Sequence, residues 1–213
     1  MSAARKRVAI LISGRGSNMA ALIEAARAPD YPAEIVLVVS NRPEAEGLAY
    51  AQAAGIATAI VDHRHFSSRD AFDAALQEEL DAARVEIVCL AGFMRLLTAP
   101  FVERWRGRLL NIHPSLLPAL KGLDTHARAL LAGAKVHGCS AHVVTPDLDS
   151  GPVILQAAIP VLEDDSENSL AARVLAEEHR IYPEALRLLA EGRLRIEAGQ
   201  VTVATTSEPS SPD

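Results

Sequence analysis

Three observations predict an α/β fold for this sequence: a mostly parallel Rossmann-like sheet with helices on both faces and an antiparallel C-terminal edge. Residues 7–13, 35–40, 58–61 and 86–92 are short apolar runs without polar alternation, the pattern of strands buried on both faces. Stretches of helical periodicity separate them, and strands joined by helices pair in parallel through right-handed crossovers. Beyond Pro118 the alternation stops. Residues 138–145 and 153–161 both read as strands, and the loop of about seven residues between them is too short for a crossover, so it joins antiparallel neighbours.

In chain order, the first strand runs into Gly14-Arg15-Gly16-Ser17-Asn18, and a helix follows over 19–26. A glycine turn between strand and helix aims backbone N–H groups at an anion, which makes Gly16, Ser17 and Asn18 a candidate phosphate cradle. The same residues also suit a tight turn with Ser17 as the N-cap. The third glycine of the dinucleotide fingerprint and the lysine of a P-loop are missing, so neither motif is supported. A helix over 43–54, closed by Gly55, follows the second strand. The third strand leads to a helix opened by Ser67-Ser68, with Phe72, Leu76 and Leu80 on its buried stripe. Arg69 in its first turn opposes the helix dipole, so it is either solvated or held to meet an anion. The fourth strand opens into the loop Phe93-Met94-Arg95-Leu96-Leu97, which runs to Pro100. Residues 124–133 read as a short helix and 166–189 as the longest one. On that helix Glu178 shares the inward stripe with Val174 and Ile181, where a carboxylate needs a hydrogen-bond partner or a ligand. Residues 194–196 and 201–203 read as a hairpin, and 204–213 as a mobile tail.

The length of 213 residues suits one substantial core. The net charge of −6 argues against nucleic acid as the main partner. No apolar run reaches the roughly 18 residues of a membrane span, and the run after the basic N-terminus is too short for a signal peptide. The expectation is a cytoplasmic protein without membrane contact. Cys89 and Cys139 lie in apolar strands and read as buried free thiols. His63 and His65 have no thiolate or third histidine nearby, so no metal is expected.

The chemistry converges on Leu109-Leu110-Asn111-Ile112-His113-Pro114. Residues two apart on a strand face the same way, so the Asn111 amide and the His113 imidazole project together. Pro114 ends the strand at the sheet's carboxyl edge, the rim that also carries residues 14–18 and 93–97. An amide donor beside an imidazole serves reactions that pass through a tetrahedral oxyanion with proton movement. Asp149, in the acidic loop 146–152, is the carboxylate available to orient the ring. Ser115 lacks a G-x-S-x-G elbow, which argues against a serine nucleophile. A non-catalytic nucleotide-binding module using the glycine loop alone is the competing class.

The pieces I-S-G-R-G-S-N, V-S-N-R, A-G-I-A-T, L-A-G-F-M-R-L-L, L-L-N-I-H-P-S-L-L-P, G-L-D-T-H-A-R-A-L, D-L-D-S-G-P-V-I-L-Q and E-E-H-R-I-Y-P occur in this order. With them the sequence resembles the glycinamide ribonucleotide transformylase family over roughly residues 6–195. The resemblance implies a single formyltransferase domain over 1–203. It implies transfer of the formyl group of 10-formyltetrahydrofolate, the co-substrate, to the primary amine of glycinamide ribonucleotide in de novo purine biosynthesis, without a metal. The catalytic trio would be Asn111, His113 and Asp149. The ribonucleotide would meet Gly16, Ser17, Asn18, Arg69 and Glu178, and the folate would meet Met94, Arg95, Leu96, Leu97, Val144, Asp147 and Leu148. Small-molecule substrates would be the only partners, with the chain a monomer or homodimer. The Leu117-Pro118 bond resembles one that is cis in this family. Members often carry histidine where Asp124 stands; here Asp124 reads as a helix cap. Formyltetrahydrofolate hydrolase and methionyl-tRNA formyltransferase share N-I-H-P-S and the aspartate loop. The hydrolase's extra amino-terminal domain and the tRNA enzyme's carboxy-terminal domain are not expected in this chain, which favours the ribonucleotide as acceptor.

Overall fold

The structure, a computed structural model, describes residues 4–197 and 199–204. Its strands are β1 (Lys6–Ile12), β2 (Ala33–Ser40), β3 (Ala57–Ile60), β4 (Ile87–Leu90), β5 (Leu109–His113), β6 (Val136–Val143), β7 (Val153–Pro160), β8 (Leu194–Glu197) and β9 (Gln200–Val203). The helices are α1 (Ser17–Ala26), α2 (Gly47–Ala53), α3 (Arg69–Ala82), α4 (Ala99–Arg104), α5 (Thr125–Leu131) and α6 (Glu167–Ala190), which continues through Pro183. The first seven strands form one sheet in the order β3-β2-β1-β4-β5-β6-β7. Pairing is parallel from β3 to β5 and antiparallel from β5 to β7, while β8 and β9 form a separate hairpin.

Side-chain alternation along β1 builds the layers. Val8, Ile10 and Ile12 enter one core with Met19 and Leu22 of α1, Leu48 of α2 and Leu170 and Val174 of α6. Ala9 and Leu11 enter the other with Phe72, Leu76 and Leu80 of α3 and Phe101 and Val102 of α4. A strand buried on both faces has no use for polar alternation, which is why these segments read as continuous apolar runs.

Four local readings differ from this structure. Gly16, with φ +74°, is the N-cap of α1, and Ser17 is its first helical residue rather than its cap. Helix α2 begins at Gly47, not 43, because the chain first turns at Arg42–Ala45 and then comes close to the glycine loop. The Gly47 N–H donates to the Gly14 carbonyl at 3.1 Å, and a Cβ on Gly47 would lie 2.7 Å from Ile12 Cδ1 and 3.2 Å from Gly14 O. A side chain there would make Ile12 and the glycine loop shift. Residues 99–104 are a helix, which begins inside the loop expected to run to Pro100 and continues over residues given no element. Thr98 caps it through Phe101 N–H, and Pro100 sits in the first turn, where its missing N–H leaves no helical bond unmade. Asp124 stands at the head of α5 with φ +56°, but its side chain makes no capping bond. The Leu117-Pro118 bond is cis, as expected. Of the expected tail, residues 205–213 lie outside the described residues.

Candidate active site

Strand β5 is the last parallel strand, and the site forms where it meets the antiparallel edge. Leu109 belongs to the core beneath α3 and α4, so Asn111 and His113, two and four residues on, face that same side of the sheet. Strand β6 runs opposite in register, pairing Asn111 with His142 and His113 with Ser140. The Ser140 hydroxyl accepts Leu117 N–H at 3.0 Å and donates to Ser115 O at 2.7 Å, and Gln156 Nε2 donates to Leu117 O at 2.9 Å. These bonds fold the segment after Pro114 over the face. Ser115 is fully buried with its hydroxyl donating to Ala119 O at 2.6 Å, which leaves it no role as a nucleophile.

The segment brought over by that fold supplies the first partner of His113, whose Nε2 lies 3.0 Å from Leu120 O. Its Nδ1 lies 3.4 Å from Asp149 Oδ2. Both ring nitrogens therefore face oxygen acceptors, and only the imidazolium can donate at both ends. Asp149 has φ +45°, a left-handed conformation that costs a non-glycine residue on the order of 1 kcal/mol. Its Oδ2 accepts Gly122 N–H at 2.9 Å, and the neighbouring Ser150 hydroxyl accepts a bond from Lys121 at 2.6 Å. A Cβ on Gly151 would lie 1.7 Å from Val143 O, so a glycine is required for the aspartate loop to lie against β6.

His142 was not anticipated as part of the site. It is 2% exposed, and burial lowers its pKa, with Val143 O and Asp149 opposing the shift. Its Nδ1 lies 3.0 Å from Val143 O, which assigns the proton there and leaves Nε2 as the acceptor for Asn111 Nδ2 at 3.2 Å. A register shift between Ala141 and His142 against β7 marks a bulge at this point. The sequence signal was a lone polar residue in the apolar run Ala141-His142-Val143-Val144. A second pair, His126 Nδ1 and His137 Nε2 at 3.2 Å, lies close by. Burial lowers both, His137 to about 4, with His113 adding to the effect.

The other expected residues divide into those brought together and those kept apart. Asn18 Nδ2 donates to Glu178 Oε2 at 2.6 Å, joining α1 to α6. Burial raises the Glu178 pKa, and the Asn18 amide opposes that rise. Asn18 Oδ1 is buried without a partner among the described residues. Arg69 is exposed at the first position of α3 and makes no hydrogen bond or ion pair among the described residues, so nothing here joins it to the glycine loop. Leu97 and Val144 pack with Phe93 on the α3 core, while Met94 and Leu96 are each 60% exposed and Leu148 is 54% exposed. Arg95 lies over the Phe72 ring at 5.5 Å, and Asp147 is exposed. A cavity of about 400 Å³ is lined by Pro118, Lys121, Asp149 and Gln200 of the hairpin, and residues 94–97 are not among its lining. Among the described residues no helix is long and apolar enough to cross a membrane.

Comparison with known proteins places this geometry in a family. The sequence matches the formyl transferase family over residues 6–186. It is 52% identical over 194 residues to the trifunctional purine biosynthetic protein adenosine-3 of Drosophila melanogaster, covering 90% of this chain and 14% of that one. It spans only 14% to 20% of the length of such trifunctional relatives. It is 48% identical to the phosphoribosylglycinamide formyltransferase of Escherichia coli K12, covering 89% of each chain. The crystal structure of glycinamide ribonucleotide transformylase 1 from Symbiobacterium toebii superposes with a TM-score of 0.92 at 50% identity, covering 94% of this chain and 95% of that one. The chain belongs to the formyl transferase family.

Proposed function

We propose that this protein is a phosphoribosylglycinamide formyltransferase. It transfers the formyl group of 10-formyltetrahydrofolate to the primary amine of glycinamide ribonucleotide, a step of purine biosynthesis. The observation that carries the reading is the pairing of His113, flanked by acceptors at both ring nitrogens, with Asn111, whose amide is anchored on neutral His142. One Asn111 N–H is used by His142, and the other, which has no partner among the described residues, can face an oxyanion. As the substrate amine attacks the formyl carbon, negative charge develops on the formyl oxygen. The Asn111 amide and the His113 imidazolium stabilise that charge, Asp149 holds the imidazolium and assists transfer of the amine's proton to N10 of the folate, and the bond between the formyl carbon and N10 breaks as the oxyanion collapses, releasing tetrahydrofolate.

In this reading Gly16, Ser17 and Asn18 receive the ribonucleotide phosphate and Arg69 adds charge from solvent, while Glu178 and the unpaired Asn18 Oδ1 accept donors from the sugar or glycinamide end. The apolar side chains of Met94 and Leu96, unusually exposed for their type, suit a flat pterin, with Arg95, Leu97, Val144, Asp147 and Leu148 completing the cleft. Formyl folate is the co-substrate and no metal takes part. The protein works in the cytoplasm on small molecules, as a monomer or homodimer, with 1–203 as one domain.

The test follows release of the folate product by absorbance with three acceptors. Formylation of glycinamide ribonucleotide, with no release on water alone, is expected. Release with water or charged tRNA but none with the ribonucleotide would defeat the reading in favour of a hydrolase or a tRNA formyltransferase. No release with any acceptor would favour a binding module.

A further inference from the structure

We propose that Ser13, held in place by Asn41, is a positioning residue that fixes the Met94 main chain and so ties the folate cleft to the phosphate loop. The proposal rests on the reading above that residues 94–97 receive formyl folate. Ser13 follows β1 and directly precedes Gly14, while Asn41 follows β2 and Met94 follows β4 by a short turn. Because β2 and β4 flank β1 in the sheet, the three residues meet at one rim. Ser13 is 7% exposed and Asn41 1%, yet neither belongs to the trio or to a substrate subsite assigned above.

The hydroxyl of Ser13 accepts Met94 N–H at 2.7 Å and donates to Asn41 Oδ1 at 2.5 Å. A hydroxyl has one proton, so donating it to Asn41 fixes the rotor and turns a lone pair towards Met94. Asn41 is itself anchored by its N–H to Ile12 O at 3.4 Å and by its carbonyl, which lies 2.9 Å from His63 Nδ1. The loop on the receiving side has little else. Among the described residues, the Met94 N–H is the only main-chain group of residues 93–97 that makes a hydrogen bond. The next lies at Thr98, whose N–H donates to Asp73 Oδ2 at 2.7 Å. Side chains hold the loop at Phe93, which packs against Phe72 at 6.4 Å, at Arg95 over the same ring and at Leu97 on the α3 core, and the Ser13 bond fixes its main chain at Met94. Removing the hydroxyl would leave the Met94 N–H and Asn41 Oδ1 without partners at the point where the cleft adjoins residues 14–18.

Kinetics of Ser13→Ala in the full chain, with each substrate varied in turn, test the proposal. The apparent KM for formyl folate is expected to rise about five- to tenfold, the effect of losing one buried hydrogen bond, with kcat and the ribonucleotide KM within about twofold of wild type. Ser13→Thr, which keeps the hydroxyl, is expected to restore the folate KM. A folate KM unchanged in Ser13→Ala would overturn the proposal, as would equal changes in both KM values and kcat. Binding of folic acid, an unreactive probe, separates this from failure of the functional reading. If wild type binds no folate, the cleft assignment fails; if wild type and Ser13→Ala bind it equally, only the role of Ser13 fails. Should Ser13→Ala not fold, Asn41→Leu removes the acceptor that fixes the Ser13 hydroxyl towards Met94 and is read by the same criteria.

Discussion

The parallel part of the sheet and its antiparallel edge contribute to the site in different ways. From β1 to β5, functional groups lie on loops and strand ends at one rim, the address that parallel pairing gives them. At the antiparallel edge, β6 brings His142 opposite Asn111 by register, and the loop before β7 brings Asp149 to His113. The first arrangement depends on topology. The second depends on cross-strand register, a bulge and a glycine that permits close approach. The groups proposed to bind gather mainly where the chain crosses over, and the charged partner of the histidine comes from the strands that turn back.

Substitutions on each side of the seam should separate these contributions. Asn111→Ala removes the proposed oxyanion donor of the parallel side and is expected to lower kcat by about 100- to 1000-fold while sparing the ribonucleotide KM, as read by steady-state kinetics. His142→Leu should cost on the order of tenfold in kcat, because it only releases the Asn111 amide. Combined with Asn111→Ala it should add almost nothing, and additive losses in that double-mutant cycle would show the edge acting independently of β5. Arg69→Ala should raise the ribonucleotide KM by roughly threefold to tenfold with kcat preserved. An unchanged value would remove the residue from the phosphate site.

The smallest effect concerns pH. Burial holds His137 at about 4, against 6.5 for an exposed ring, so between these values the unfolded chain binds protons that the folded protein does not. Stability from this group is full above pH 6.5 and declines as pH falls towards 4. Denaturant titrations of wild type and His137→Gln across that window should show a shallower decline in the variant.

The sequence carried the layers and the parallel pairing of the first half, because strands buried on both faces leave continuous apolar runs and Gly14 to Asn18 leave a turn. Asn111 and His113 were legible for the same reason: a two-residue spacing on a strand is local information. His142 was not, since its role depends on facing Asn111 across a strand pair that sequence spacing does not specify. The displaced start of α2 follows from a non-local contact too, the approach of Gly47 to Gly14. Helix α4 was different, because its signals, the Thr98 cap and Pro100 in the first turn, are local, and the loop reading that ran to Pro100 passed over them.

The seam itself is tested most directly by Asp149→Asn. Asparagine tolerates the left-handed backbone at this position, so the substitution removes charge with little change of shape. Single-turnover formyl transfer and ribonucleotide affinity should be measured on the same preparation. The account predicts a rate at least about 100-fold below wild type with affinity within about twofold. A rate within about tenfold of wild type would contradict it, because the histidine would then work without the carboxylate that the antiparallel edge supplies.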